Sequence, residues 1–125
     1  MSEPAQREGF ATDAAIKRVA ERFGIGLALA SQDWAICAAD PSRLEEFLRA
    51  YESESFTCDE QFVLMEMLLQ SFEDAEASAS VDAQWTRVAA LLRRDAVVHL
   101  SSLRYWSAIE GRGGEWSVPA RIREL

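Results

Sequence analysis

The sequence predicts an all-α protein: an irregular bundle of about five helices followed by an extended C-terminal arm. Apolar residues recur at three- and four-residue spacing through most of the chain, the period of a helix with one buried stripe. Residues that start helices, Thr12 or Asp13, Asp40, Thr57, Asp82 and Asp95, stand at the head of these segments. With 125 residues, 49% of them apolar and 27% charged, the chain is long enough to bury one core without disulfide or metal support.

Residues 1–11 show no periodicity and are expected to form a flexible N-terminal tail, leaving 12–125 as a single helical domain. Ile16, Val19, Ala20 and Phe23 then define a first helix that Gly24 should close. Small apolar residues in "IGLALASQDWAICAAD" suit a buried helix or an extended segment, and an irregular, partly extended course is expected over 25–39. Asp40-Pro41 supplies a capping side chain and a proline at the first helical position, and Leu44, Phe47, Leu48 and Tyr51 follow on one face. The third helix, roughly 58–75, is headed by the T-x-x-E capping box of Thr57 and Glu60. Asp82 can cap a fourth helix carrying Val81, Trp85, Val88 and Leu92, which Arg93 and Arg94 close at its negative end. Asp95 can cap a fifth, "AVVHLSSLRYWSAI", ended by Gly111, Gly113 and Gly114, and "EWSVPARIREL" reads as an extended arm.

The third helix carries more apolar residues than one stripe requires: eight of the eleven from Phe62 to Phe72. At 100° per residue, Phe62, Leu64, Met65, Leu68, Leu69 and Phe72 fall in one arc about 160° wide, which is core. Val63 and Met67 fall outside it, on a separate ridge beside Glu60, Glu66, Gln70 and Asp74. Such a helix either sits at the centre of the bundle and touches neighbours on two sides, or presents Val63 and Met67 as the apolar heart of an acid-rimmed docking surface.

Charge is unevenly distributed along the chain. Residues 31–80 carry twelve acids against Arg43 and Arg49, whereas 81–125 carry seven arginines against five acids. With a net charge of −8, the molecule should repel nucleic acid and anionic membranes and meet a basic protein partner readily. The N-terminus is polar and no apolar run approaches the length of a membrane span, so a cytoplasmic location is expected. Twelve arginines against one lysine, with no asparagine, suggest a GC-rich bacterial genome.

Catalytic signals are weak. His99 is the single histidine, shares a helix face with Ser102, Leu103 and Trp106, and reads as a core or boundary residue rather than a general base. Cys37 and Cys58 fit neither a disulfide scaffold nor a metal knuckle; Cys58, at a helix start, feels the dipole but also Asp59 and Glu60. "EDAE" lacks the spacing of a cation loop and "EGRGGE" lacks the lysine and strand of a phosphate cradle, so no metal or cofactor is expected. Trp85, Trp106 and Trp116 lie near arginines, but the first two fall on core stripes and the net charge argues against strand binding.

The sequence therefore favours a non-catalytic protein-interaction module acting on a basic partner, with Val63, Met67, Glu60, Glu66, Asp74 and Tyr51 as contact residues. Size, charge and helicity resemble those of some immunity proteins that neutralise toxins, a likeness that covers no motif and transfers no residue. A structural or regulatory homodimer paired through the same ridge is the alternative, disfavoured by acid repulsion. A small enzyme using Cys58 or His99 ranks last.

Overall fold

A computed structural model describes residues 6–26, 34–76, 78–108 and 118–125. Helix α1 (Asp13–Phe23) begins where the Thr12 side chain accepts the Ala15 N–H and ends at Gly24, whose φ of 66° is the left-handed conformation that lets the closing amides reach back to Ala20 and Glu21. The described part of 25–39 includes a five-residue helix, α2 (Trp34–Ala38), while 27–33 lie outside the described residues. Asp40 caps a 3-10 turn, Pro41–Arg43, by accepting from the Ser42 N–H, and the chain runs on into α3 (Leu44–Ser53).

Helix α4 (Cys58–Asp74) starts at the predicted capping box, with Thr57 and Glu60 each bonding the other's backbone N–H. It is the axis of the bundle and packs against α1, α2, α3 and α7. Being enclosed on several sides explains its composition: every apolar residue from Phe62 to Phe72 is buried. Ring pairs Phe23–Phe47 and Phe72–Trp85, both edge-on, tie neighbouring helices into one core.

Three expected elements differ in the fold. Helix α5 (Ala79–Arg94) starts three residues before Asp82 because Ser78 supplies the cap, accepting from the Val81 N–H. Asp82 is then free to pair with Arg121 across the bundle. Asp95 does not begin a helix with its side chain; the backbone makes hydrogen-bonded turns from 95 to 99, and α6 (Leu100–Ala108) follows. The glycines expected to stop that helix, at 111, 113 and 114, lie outside the described residues. The C-terminal arm is helical where described: α7 (Val118–Arg123) packs on α6 and α4. Pro119, in its first turn, has no intrahelical N–H to lose, Val118 donates its N–H to the Glu73 carboxylate, and Val118 and Ile122 are buried one turn apart.

Residues 6–12 are not a free tail. They run along the start of α4 and the turn between α5 and α6, joined by a Gly9 N–H bond to the Val98 carbonyl and by a bidentate ion pair from Arg7 to Asp59. Gly9 is required at its position, since a Cβ there would lie 2.6 Å from Phe62 Cβ and 2.7 Å from the Cys58 carbonyl oxygen.

Candidate functional site

Val63 and Met67 are each 1% exposed, so the ridge expected on α4 does not exist as a surface. Of the two explanations for the apolar surplus, central packing is the one seen. Tyr51, expected as an anchor for a partner, is also buried, with its hydroxyl engaged inside the protein. Glu60 serves the capping box and faces Arg18 at 3.5 Å, Glu66 accepts from the Trp106 indole N–H at 3.1 Å, and Asp74 is exposed and accepts from Gln70. These six residues form no common face.

Buried polar chemistry converges elsewhere. Tyr51 from α3 meets Asp95 at 2.9 Å and His99 Nε2 at 2.7 Å, both from the turn between α5 and α6. Asp95 is saturated: Oδ1 accepts from Gln6 and Arg94 Nε, and Oδ2 from Tyr51 and Arg94 Nη2. Burial pushes the Asp95 carboxyl up, but its bonds from Arg94 and Tyr51 outweigh this and hold it below the usual carboxylate range. An ionised carboxylate only accepts, so the Tyr51 proton points to Asp95 and the phenol oxygen must accept from His99 Nε2–H. Nδ1 then carries the lone pair, and it has no hydrogen-bond partner among the described residues.

Electrostatics fixes these protonation states. Burial drives His99 down to about 4, an effect that the Asp95 charge opposes and Arg94 reinforces, so the imidazole is neutral at pH 7. Burial and the neighbouring carboxylate push the Tyr51 hydroxyl far up, so it stays protonated. The carboxylate bonds the phenol and not the imidazole, and His99 is 0% exposed, an order and a depth unsuited to a general base acting on a bound substrate. What the trio does is join α3, the α5–α6 turn and, through Gln6, the N-terminal segment. One turn on, the buried Ser102 hydroxyl has no partner in hydrogen-bond geometry among the described residues, yet it lies close enough to Glu66 to help counter, with the Trp106 indole, the upward push that burial exerts on that carboxyl.

Above the trio lies an open cleft of about 780 Å³ whose walls include Gln6, Arg7, Tyr51, Cys58, Gln61 and Arg94. Cys58 is half-buried there as a free thiol and makes no bond to His99. Among the described residues no three His, Cys, Asp or Glu side chains converge as a metal site, and no helix is long and apolar enough to cross a membrane.

The surface is knit by ion pairs. Arg87 spans Glu45 and Glu52, Arg22 binds Glu54, and Arg7 binds Asp59, so cations from outside 31–80 fold back onto its acids. Bonds from Arg87, Arg49 and Gln84 hold the Glu45 carboxyl down at about 2.

Four large apolar residues are exposed among the described ones: Phe10, Val97, Tyr105 and Leu125. Three of these flank a single seam. Phe10 follows Gly9, which is bonded to Val98; Val97 precedes Val98; and Tyr105 stands one turn beyond Ser101, whose hydroxyl donates to Glu8. The spacing of Val97, Ser101 and Tyr105 at i, i+4 and i+8 marks this outer stripe in the sequence, opposite the His99, Ser102 and Trp106 face that turns inward. Phe10 carries no such signal, because its place depends on the docking of an aperiodic segment. The chain matches no protein-family model, no curated protein and no solved structure.

Proposed function

We propose that this protein is a non-catalytic binding module for a positively charged protein partner, and that its contact surface is the seam between the N-terminal segment and α6. The observation that carries this reading is the placement along the seam of Phe10, Val97 and Tyr105, three of the four large apolar residues exposed among the described ones. Two exposed aromatic residues and an aliphatic one along the same seam are suited to anchoring an interface, and the net charge of −8 favours encounter with a cationic protein. Neutralisation of a toxin-like protein is the sharpest form of this function.

The test is affinity capture from the source cell's lysate with the wild type and with a Val97→Ser, Tyr105→Ser variant. Both positions are exposed, so folding stability should change by no more than about 0.5 kcal/mol each. A basic protein retained by the wild type and lost from the variant supports the assignment. Equal retention by both removes the seam from consideration. If the captured protein is an enzyme, assaying it with and without this chain then decides whether binding inhibits it.

A further inference from the structure

The seam has a floor, and the floor is a groove that already holds a non-helical peptide: the chain's own residues 6–10. Ser101 donates its hydroxyl to the Glu8 carboxylate, and each other contact in the groove reads one feature of that peptide. Asp95 takes the Gln6 amide at 2.7 Å. Asp59 takes both terminal nitrogens of Arg7, at 2.9 and 3.1 Å, and then the backbone N–H of Phe10 at 3.0 Å. The Val98 carbonyl takes the Gly9 N–H at 2.9 Å. Between these points the wall formed by Phe62, the Cys58 carbonyl and Val98 leaves no space for a Cβ.

These requirements define a ligand. The two most selective are a guanidinium on Asp59, where a planar two-nitrogen fork matches the carboxylate, and a glycine two residues later against the wall. The Gln6 side-chain amide and the backbone amides of Gly9 and Phe10 supply the remaining bonds, and those backbone bonds leave the segment non-helical.

The geometry points to this groove as a recognition site for a non-helical basic segment with an Arg-x-Gly pattern on the partner protein, held shut in the free protein by residues 6–10 acting as an internal mimic. The inference rests on the proposed binding of a basic partner and names the segment that the partner inserts. Several features fit displacement. The resident contacts are mainly polar: Arg7 is 56% exposed, and surface ion pairs of this kind hold weakly. The segment leads into α1 through the exposed residues Phe10 and Ala11, ahead of the Thr12 cap, so its release need not uncap that helix. The partner residue after the glycine would take the place of Phe10 on the seam that Val97 and Tyr105 also flank.

A tethered mimic competes at a high effective concentration, so releasing it should unmask the groove. The probe is a fluorescent, end-blocked peptide copying residues 6–12, titrated by anisotropy against the full chain. Gly9→Ala should expel the resident segment, seen as faster hydrogen exchange at the Gly9-equivalent and Phe10 amides, and should tighten peptide binding by about tenfold or more over the wild type. A Gln6→Ala, Arg7→Ala double variant releases the segment without adding volume and should act alike if Gly9→Ala folds poorly. Adding Asp59→Asn, or replacing the peptide's arginine by alanine, should abolish the gain. Protection retained at the Phe10 amide in Gly9→Ala, no peptide binding to either released variant, or equal binding to all variants would each overturn the groove assignment. The binding-module reading fails separately, when capture is indifferent to Val97 and Tyr105.

Discussion

Acidification from pH 7 to pH 5 should destabilise this protein through His99, the one histidine in the chain. In the fold its pKa lies at about 4, against 6.5 for the free side chain, so between these values the unfolded chain binds a proton that the folded chain refuses. Stability from this group is complete above the unfolded value, and is lost as pH falls from 6.5 towards 4. The full difference is worth roughly 3 kcal/mol, of which roughly 2 kcal/mol is lost between pH 7 and pH 5.

Neighbouring groups leave that window open. Asp95 is held low, so its own contribution, present above the unfolded carboxylate value, disappears only at more acidic pH. Tyr51 stays protonated throughout and Arg94 stays charged. Glu66, whose carboxyl is raised by burial, acts with the opposite sign and gains stability on acidification. Urea denaturation at pH 7, 6 and 5 on the wild type and His99→Gln isolates the histidine from that offset. The variant should be less stable at pH 7 but should lack the wild type's extra loss towards pH 5. Parallel slopes for the two proteins would refute the buried neutral imidazole.

Three variants test the packing and capping of α4. Changing Val63→Ser with Met67→Gln places two polar groups among buried side chains, so each should cost roughly 1 to 3 kcal/mol and thermal denaturation should show a large drop in Tm. Leu68→Ala, at a fully buried position, should lower stability by about 2 to 5 kcal/mol in chemical denaturation, and a cost near zero would contradict its placement. Thr57→Ala removes the acceptor for the Glu60 N–H and should cost about 1 kcal/mol, read from the same denaturation midpoints.

What was legible in the sequence was local. The Thr57–Glu60 box, the Asp40 cap and the left-handed Gly24 each follow from residues within one turn, and all three stand in the fold. A helical wheel separates apolar from polar positions, but it does not count the helices that surround them. Hence Val63 and Met67 looked like surplus on an isolated helix and are core on a central one. Tyr51 and Asp95 lie 44 residues apart, and nothing in either neighbourhood marks the pairing. Asp95 reads as a cap in the sequence because a helix-start residue between two apolar segments has a local use, and the local use hides the tertiary one. The short α7 carries no local signal for a related reason: its stability comes from packing on α6 and α4 rather than from its own six residues.

Charge shows how a sequence feature survives folding in altered form. The contrast between an acidic middle and a basic C-terminal third does not persist as two opposed faces, because Arg7, Arg18, Arg22 and Arg87 come from outside 31–80 to pair with its acids. Paired charges cancel at distances larger than their separation, so what a partner senses from afar is the net −8. At contact, on the proposed reading, it meets Val97 and Tyr105 instead. The two roles are separable by salt, since the screening length shortens from about 10 Å at 0.1 M to about 3 Å at 1 M. Over that range the association rate of a basic partner should fall by at least tenfold, as expected for steered encounter. Dissociation should change far less, being governed by the apolar contacts. Surface plasmon resonance at both ionic strengths resolves the two rates. An association rate indifferent to salt would show that net charge plays no part in recognition, and a dissociation rate that climbs as steeply as association falls would move the binding energy from the apolar seam to the ion pairs around it.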